Sequence, residues 1–191
     1  MTSVARLKVV LDHVEPKVTR RFEVPVTIRL SRLHAVLQII LGWTDSHLYE
    51  FSFRDVRYGI PDPEWGERCI DARSTSLTRA IRDSNTLSFN YLYDFGDGWT
   101  HSIKVEKIEP AIAGLDYPFL IQASGRCPPE DVGGPHAYAE FLNIVADPKH
   151  PEHDQLRTWA GGSFDPQFVD IAAIDRKLND LRRRSRKKPA T

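Results

Sequence analysis

Apolar and polar residues alternate with period two from Ala5 to Leu11, A-R-L-K-V-V-L, and again from Val18 to Val24. Two half-buried strands are predicted, separated by the breaker run Asp12 to Pro16. Past Pro25 the period changes: Leu33, Val36, Leu37, Ile40 and Leu41 recur at helical spacing. That predicts a helix over 31–41, with Ser31 as N-cap and Gly42 as left-handed C-cap. His34 stands beside the apolar stripe and reads as a packed neighbour. His47 to Phe53, H-L-Y-E-F-S-F, returns to period two, with Tyr49, Phe51 and Phe53 on one face and Leu48 on the other. Residues 55–75 hold Gly59, Pro61, Pro63 and Gly66 without a sustained period and read as a long loop. One or two helical turns follow at Leu77 to Ile81.

A β-hairpin over about 87–108 is the central prediction. Alternation enters from Leu87, Asp97-Gly98 marks a tight turn, and a second alternating run leaves from Trp99. A two-residue turn places Asp94 opposite His101 and Leu92 opposite Ile103. One face then carries Leu92, Asp94, His101, Ile103 and Val105, and the other Phe89, Tyr91, Tyr93 and Phe95. A three-residue loop at 96–98 would set Asp94 opposite Thr100 instead, so the pairing depends on the turn type.

Tyr117 to Ala123 reads as one more strand, and G-R-C-P-P-E-D-V-G-G at 125–134 as a rigid exposed loop, because Pro128 and Pro129 hold the chain extended. Pro135 opens a helix whose stripe is Tyr138, Phe141, Leu142 and Val145. A further helix is expected over 151–160, and a last one carries Ile171, Ile174, Leu178 and Leu181. Strands give way to helices along the chain. The predicted class is therefore α+β, a single domain over 1–181 with a mostly antiparallel sheet and a helical C-terminal third.

The 191 residues carry no formal net charge, but residues 182–188 hold six cations and no acid. The rest of the chain is therefore acidic, and 182–191 reads as a basic, disordered tail. Arg182, Arg183, Arg184, Arg186, Lys187 and Lys188 are the candidates for nucleic-acid contact, through phosphate neutralisation. No apolar run approaches the roughly 20 residues a membrane helix needs, and the N-terminus lacks a signal-peptide core, so a cytoplasmic protein is expected. Cys69 and Cys127 are read as reduced thiols.

No phosphate-binding glycine loop, dinucleotide fingerprint, H-E-x-x-H, G-x-S-x-G or Cys-x-x-Cys occurs. Three polar groupings remain. Asp94, Asp97 and His101 on the hairpin offer a carboxylate-oriented imidazole or ligands for a divalent metal, against the plain reading of a turn aspartate and a surface pair. Cys127, Glu130 and Asp131 with His136 offer thiolate, carboxylate and imidazole, against helix capping. His150 and His153 with Glu152 and Asp154 read as a solvated helix start.

The strings Y-L-Y-D-F-G-D-G-W-T-H-S-I-K-V-E at 91–106, C-P-P-E-D-V-G-G at 127–134 and F-D-P at 164–166 resemble the plasmid pRiA4b ORF-3-like family. So do L-K-V-V-L near the N-terminus, R-R-F-E-V-P at 20–25, L-H-A-V-L-Q at 33–38 and G-W-T-D-S-H-L-Y-E-F at 42–51. The resemblance implies an α+β fold in a family found on plasmids, mobile elements and chromosomes, without an established activity. This chain departs from the pattern in having Thr19 before Arg20 and Arg21, Val132 in place of a second cysteine, and Ala137 in place of glycine.

The resemblance also implies that the hairpin tip and the proline loop form one surface. Tyr93, Asp94, Asp97, Trp99, His101, Cys127, Glu130 and Asp131 would then line an acidic, aromatic cleft. Such a cleft suits a cationic peptide or a metal better than bare nucleic acid. The expected function is a cytosolic binding or accessory module for a protein or peptide, with nucleic-acid contact through the tail only. The alternative is a metal-dependent hydrolase or nuclease-like enzyme using Asp94, Asp97, His101 and Glu130.

Overall fold

The structure, a computed structural model, describes residues 3–61 and 69–187, excepting the side chains of 185–187. Eight strands form one sheet: β1 Ser3–Leu11, β2 Thr19–Pro25, β3 Tyr49–Phe53, β4 Val56–Gly59, β5 Ile70–Asp71, β6 Ser88–Tyr93, β7 Trp99–Pro110 and β8 Phe119–Ser124. Their order is β5-β4-β3-β6-β7-β1-β2-β8, antiparallel except for the β4–β5 pair. Five helices complete the chain: α1 Leu30–Leu41, α2 Leu77–Ser84, α3 Gly134–Ala146, α4 His153–Trp159 and α5 Ile171–Lys187. The α+β class and the mostly antiparallel sheet are as predicted.

The alternation along each strand adds up to one continuous apolar face. Leu7 lies opposite Phe22 on one side and Val105 on the other, Val9 meets Ile103, and Phe51 meets Tyr91 and Tyr58. All are buried. The opposite face carries Lys8, Ser52, Asn90, Ser102 and Lys104, the one-sided burial usual for antiparallel sheets. Leu30, Leu33, Val36, Leu37 and Ile40 of α1 join the same core. The helix ends at Gly42 with φ 95, as expected, but its N-cap is Arg29 and not Ser31.

Burial across the whole sheet, not the Asp-Gly pair, sets the register of the hairpin. Tyr93 pairs with Trp99, Tyr91 with His101 and Phe89 with Ile103, three residues away from the two-residue register. An odd shift exchanges the faces. In the predicted register Tyr91 and Tyr93 would face away from His101 and Ile103; in the observed one all four share the buried face with Tyr49 and Phe51. The connection is therefore the five-residue loop Asp94–Gly98, closed by the Gly98 N–H on the Asp94 carbonyl at 2.7 Å. Asp94 and Gly98 take left-handed φ of 56 and 70. The predicted pairing of Asp94 with His101 does not form.

Three further readings change. The 55–75 stretch contains β4 and β5, four and two residues long, too short for a periodic signal; residues 62–68 lie outside the described part. The third strand begins at Tyr49, which leaves His47 and Leu48 in the preceding loop. The basic run does not start a separate tail: α5 continues through Lys187, because Ile174, Leu178 and Leu181 dock its apolar stripe onto the core. Arg182 donates to the Pro118 carbonyl at 2.5 Å. Lys188 lies outside the described residues. Both cysteines are free thiols, as predicted.

Candidate functional site

Three loops meet at one end of the sheet: the link 42–48 between α1 and β3, the hairpin loop Asp94–Gly98, and the proline loop 125–133. Arg20 anchors the last of these from below. Its guanidinium, 2 % exposed, donates to the carbonyls of Thr19, Ser124 and Gly125 at 2.8–3.0 Å and to Ile40 in the last turn of α1 at 2.5 Å. Carbonyl oxygens and the negative end of the α1 dipole stand in for a carboxylate partner. The same guanidinium lies 3.8 Å from Cys127 Sγ. Burial pushes that thiol up to about 11 although Arg20 opposes it. Cys127 is therefore a packed thiol, set on a pocket of about 460 Å³ between the proline loop and α5.

From above, the indole N–H of Trp43 donates to the Pro128 carbonyl at 3.0 Å, and its ring stacks on Tyr93 at 4.9 Å. Trp99 and His101 complete this aromatic block and are 1 % and 0 % exposed. Neither lines a cleft. His101 Nδ1 lies 3.1 Å from the Tyr91 carbonyl, and burial lowers its pKa to about 4, so the ring is neutral at pH 7. His34 is a core residue as well. Gln38 donates to the Tyr91 hydroxyl, so that hydroxyl can donate to His34 Nδ1 and leave Nε2–H for Asp45, at 2.8 and 2.6 Å.

The acidic residues do come together. Asp94 turns one oxygen back onto its own loop: Oδ1 accepts the backbone N–H of Gly96 at 2.9 Å and of Asp97 at 3.4 Å. Glu130 Oε1 accepts from the Thr44 N–H and hydroxyl and from the Tyr93 hydroxyl, at 2.8, 3.0 and 3.1 Å. Asp97 turns toward the proline loop, where its Oδ2 accepts the Gly133 N–H at 3.0 Å. Between them stands His47, whose Nε2 is 3.0 Å from Asp131, 3.6 Å from Asp94 and 3.8 Å from Glu130. Three carboxylates thus face one imidazole.

Of the sequence candidates, Asp94, Glu130 and Asp131 face one centre, Tyr93 and Asp97 brace its walls, and Trp99, His101 and Cys127 are core. The metal candidates Asp94, Asp97 and His101 are not grouped. Sequence reasoning missed His47, which completes the arrangement, Thr44, which holds Glu130, and Arg20, which anchors the proline loop. The signal for His47 was the string T-D-S-H between Gly42 and Tyr49, a polar loop with a lone histidine read as the start of a strand. His153 contacts the Ile144 carbonyl at 3.2 Å and His150 Nδ1 accepts the Glu152 N–H, an ordinary helix start.

A second groove adjoins the first through Asp131. It is lined by Val132, Glu140, Phe141, Ile144, Glu152, Leu156 and Trp159 and has a volume of about 460 Å³. Trp159 is 47 % exposed there and meets Phe141 edge to face at 6.0 Å. No helix among the described residues is long and apolar enough to cross a membrane.

Residues 3–173 match the family of plasmid pRiA4b ORF-3-like proteins. An uncharacterized protein, y4hQ, of Sinorhizobium fredii (strain NBRC 101917 / NGR234) is 55 % identical over 182 residues, 95 % of this chain and 93 % of that protein. The crystal structure of MM3350, a protein of unknown function from Methanosarcina mazei Go1, superposes with a TM-score of 0.81 at 28 % identity. That match covers 90 % of this chain and 97 % of the other.

Proposed function

The chain belongs to the plasmid pRiA4b ORF-3-like family, and from that premise and its own geometry we propose that it is a cytosolic binding module for a Lys/Arg-rich segment of a partner protein. The observation that carries this reading is the convergence of Asp94, Glu130 and Asp131 on His47, with no lysine or arginine paired to them among the described residues. Uncompensated carboxylates in one cleft attract a cationic ligand over neutral or anionic competitors. The groove beyond Asp131 extends the same chemistry, because Glu140 and Glu152 flank the apolar surface of Phe141, Leu156 and Trp159. Aliphatic stems of Lys and Arg pack on such a surface while their heads meet the acids. In a family named for a plasmid gene, an accessory role on mobile elements fits this reading.

Fluorescence anisotropy with a labelled Lys/Arg-rich peptide tests it. Binding is expected to weaken with salt, to fall at least tenfold in the charge-reversed pair Glu140→Lys, Glu152→Lys, and to be absent for a neutral peptide of equal length. Equal binding of the neutral peptide, or indifference to the charge reversal, overturns the reading.

One observation favours the second reading, a metal-dependent hydrolase: imidazole and carboxylates lie together beside the exposed Asp131, the donor set that activates a metal-bound water. It requires metal-dependent hydrolysis of an activated phosphodiester that is lost in His47→Ala.

A further inference from the structure

We propose that His47 Nε2, Asp94 Oδ2 and Asp131 Oδ1 form a binding site for one divalent first-row transition metal, with Glu130 Oε2 as a fourth donor. The three ligand atoms lie within 4.8 Å of one another. Ligands bound at about 2.0–2.2 Å around a single ion sit roughly 3.0–3.6 Å apart in tetrahedral or octahedral geometry. The separations from His47 Nε2, 3.0, 3.6 and 3.8 Å, fall at or close to that range.

Ordinary pairing does not account for this cluster. His47 Nε2 is sealed from solvent and makes no hydrogen bond, although Asp131 Oδ1 is only 3.0 Å away, because the contact lies off the hydrogen-bond direction. The side chain of Asp94 is nine-tenths buried, and its Oδ2 faces that same nitrogen at 3.6 Å. A sealed imidazole nitrogen with no hydrogen bond, flanked by Asp94 Oδ2 and Asp131 Oδ1, carries an unmet cost that a cation shared with those carboxylates removes.

The surroundings supply the orientation that metal ligands need. Asp94 is held through Oδ1 by two backbone amides, and Glu130 through Oε1 by Thr44 and through both oxygens by the Tyr93 hydroxyl, so each turns its second oxygen toward His47 while keeping its anchor. Asp131, 70 % exposed at its side chain, supplies the solvent-facing ligand and the entry path. One imidazole with hard oxygen donors and no thiolate selects ions of the zinc or manganese type over magnesium, which disfavours nitrogen, and over copper(I), which needs sulfur.

This builds on the reading of the cleft as a cation acceptor, and the two fail separately. Isothermal titration of chelator-treated protein with Zn²⁺, together with Co²⁺ absorption, is the test. One ion per chain is expected, with affinity reduced at least tenfold in His47→Ala and in Asp94→Asn. The latter keeps the Oδ1 acceptor for Gly96 and so keeps the loop folded, which circular dichroism verifies. Glu140→Lys, Glu152→Lys should bind metal as wild type does while losing the peptide. Absence of stoichiometric binding, or binding that survives both His47→Ala and Asp94→Asn in folded protein, overturns the site whether or not the peptide binds.

Discussion

Asp97 and Gly134 touch across the cleft: a β-carbon on Gly134 would lie 2.5 Å from the Asp97 carbonyl oxygen. Gly134 also has φ 82, and its neighbour Gly133 donates to the Asp97 carboxylate. The hairpin tip and the proline loop are therefore locked by backbone against backbone, a contact that no side-chain movement relieves.

Gly134→Ala should accordingly cost more than the strain of roughly 1–3 kcal/mol that a left-handed non-glycine residue carries. Gly162→Ala is the control: φ is 119, but no atom lies within 4 Å of its β-carbon, so only strain applies. Denaturant melts should rank Gly134→Ala below Gly162→Ala. The reverse order would refute the backbone lock.

Arg20→Met should remove the guanidinium donors that hold the carbonyls of Ile40, Ser124 and Gly125. A loss of roughly 2–5 kcal/mol is expected for several buried acceptors left unpaired. Loosening of the proline loop should also expose Cys127. In a Cys69→Ser background, a thiol-reactive dye should label Arg20→Met faster than the parent near pH 8, where the parent thiol is held neutral. Equal labelling rates would show that Arg20 does not hold this loop.

The pH dependence follows from His101. Unfolded, its imidazole titrates near its ordinary 6.5; folded, burial lowers this to about 4. Between those values the unfolded chain binds the extra proton, so the stability from this group is complete above 6.5 and is lost as pH falls toward 4. The span amounts to roughly 3 kcal/mol at about 1.4 kcal/mol per unit. Burial lowers His34 as well, which acts in the same direction. His101→Asn keeps a donor for the Tyr91 carbonyl but does not titrate. Its Tm should fall less than the wild-type Tm between pH 6.5 and 4.5, and parallel curves would exclude His101 as the cause.

Among the described side chains of the basic run, nucleic-acid contact falls to the exposed side of α5, because Arg182 is engaged on the Pro118 carbonyl. Arg183 and Arg184 are exposed. Arg183→Glu, Arg184→Glu should abolish any salt-sensitive binding to duplex DNA while leaving Tm nearly unchanged. DNA binding unchanged by this reversal would remove Arg183 and Arg184 from the account.

The residues of the site were visible in the chain before their arrangement was. Asp94, Asp97, Glu130 and Asp131 stand out as polar residues in turn-forming strings, and Asp97 meeting Gly133 joins the two strings as the family resemblance implied. His101 looked equally available, since alternation alone cannot say which face of a hairpin is buried.

Local pattern was enough for the α+β class, for α1 with its Gly42 cap, for the stripe of α5 and for a loop stiffened by Pro128 and Pro129, because each depends on neighbours within a few residues. The tertiary structure decided the hairpin register, and with it the partner of Asp94. One buried sheet face had to hold Phe51, Tyr91, His101 and Leu11 together, and strands far apart in the chain set that demand. It also decided that His47 joins Asp94 and Asp131. Those ligands come from three separate loops, so no spacing within any one of them encodes their meeting, and only the packing that brings the loop ends together does.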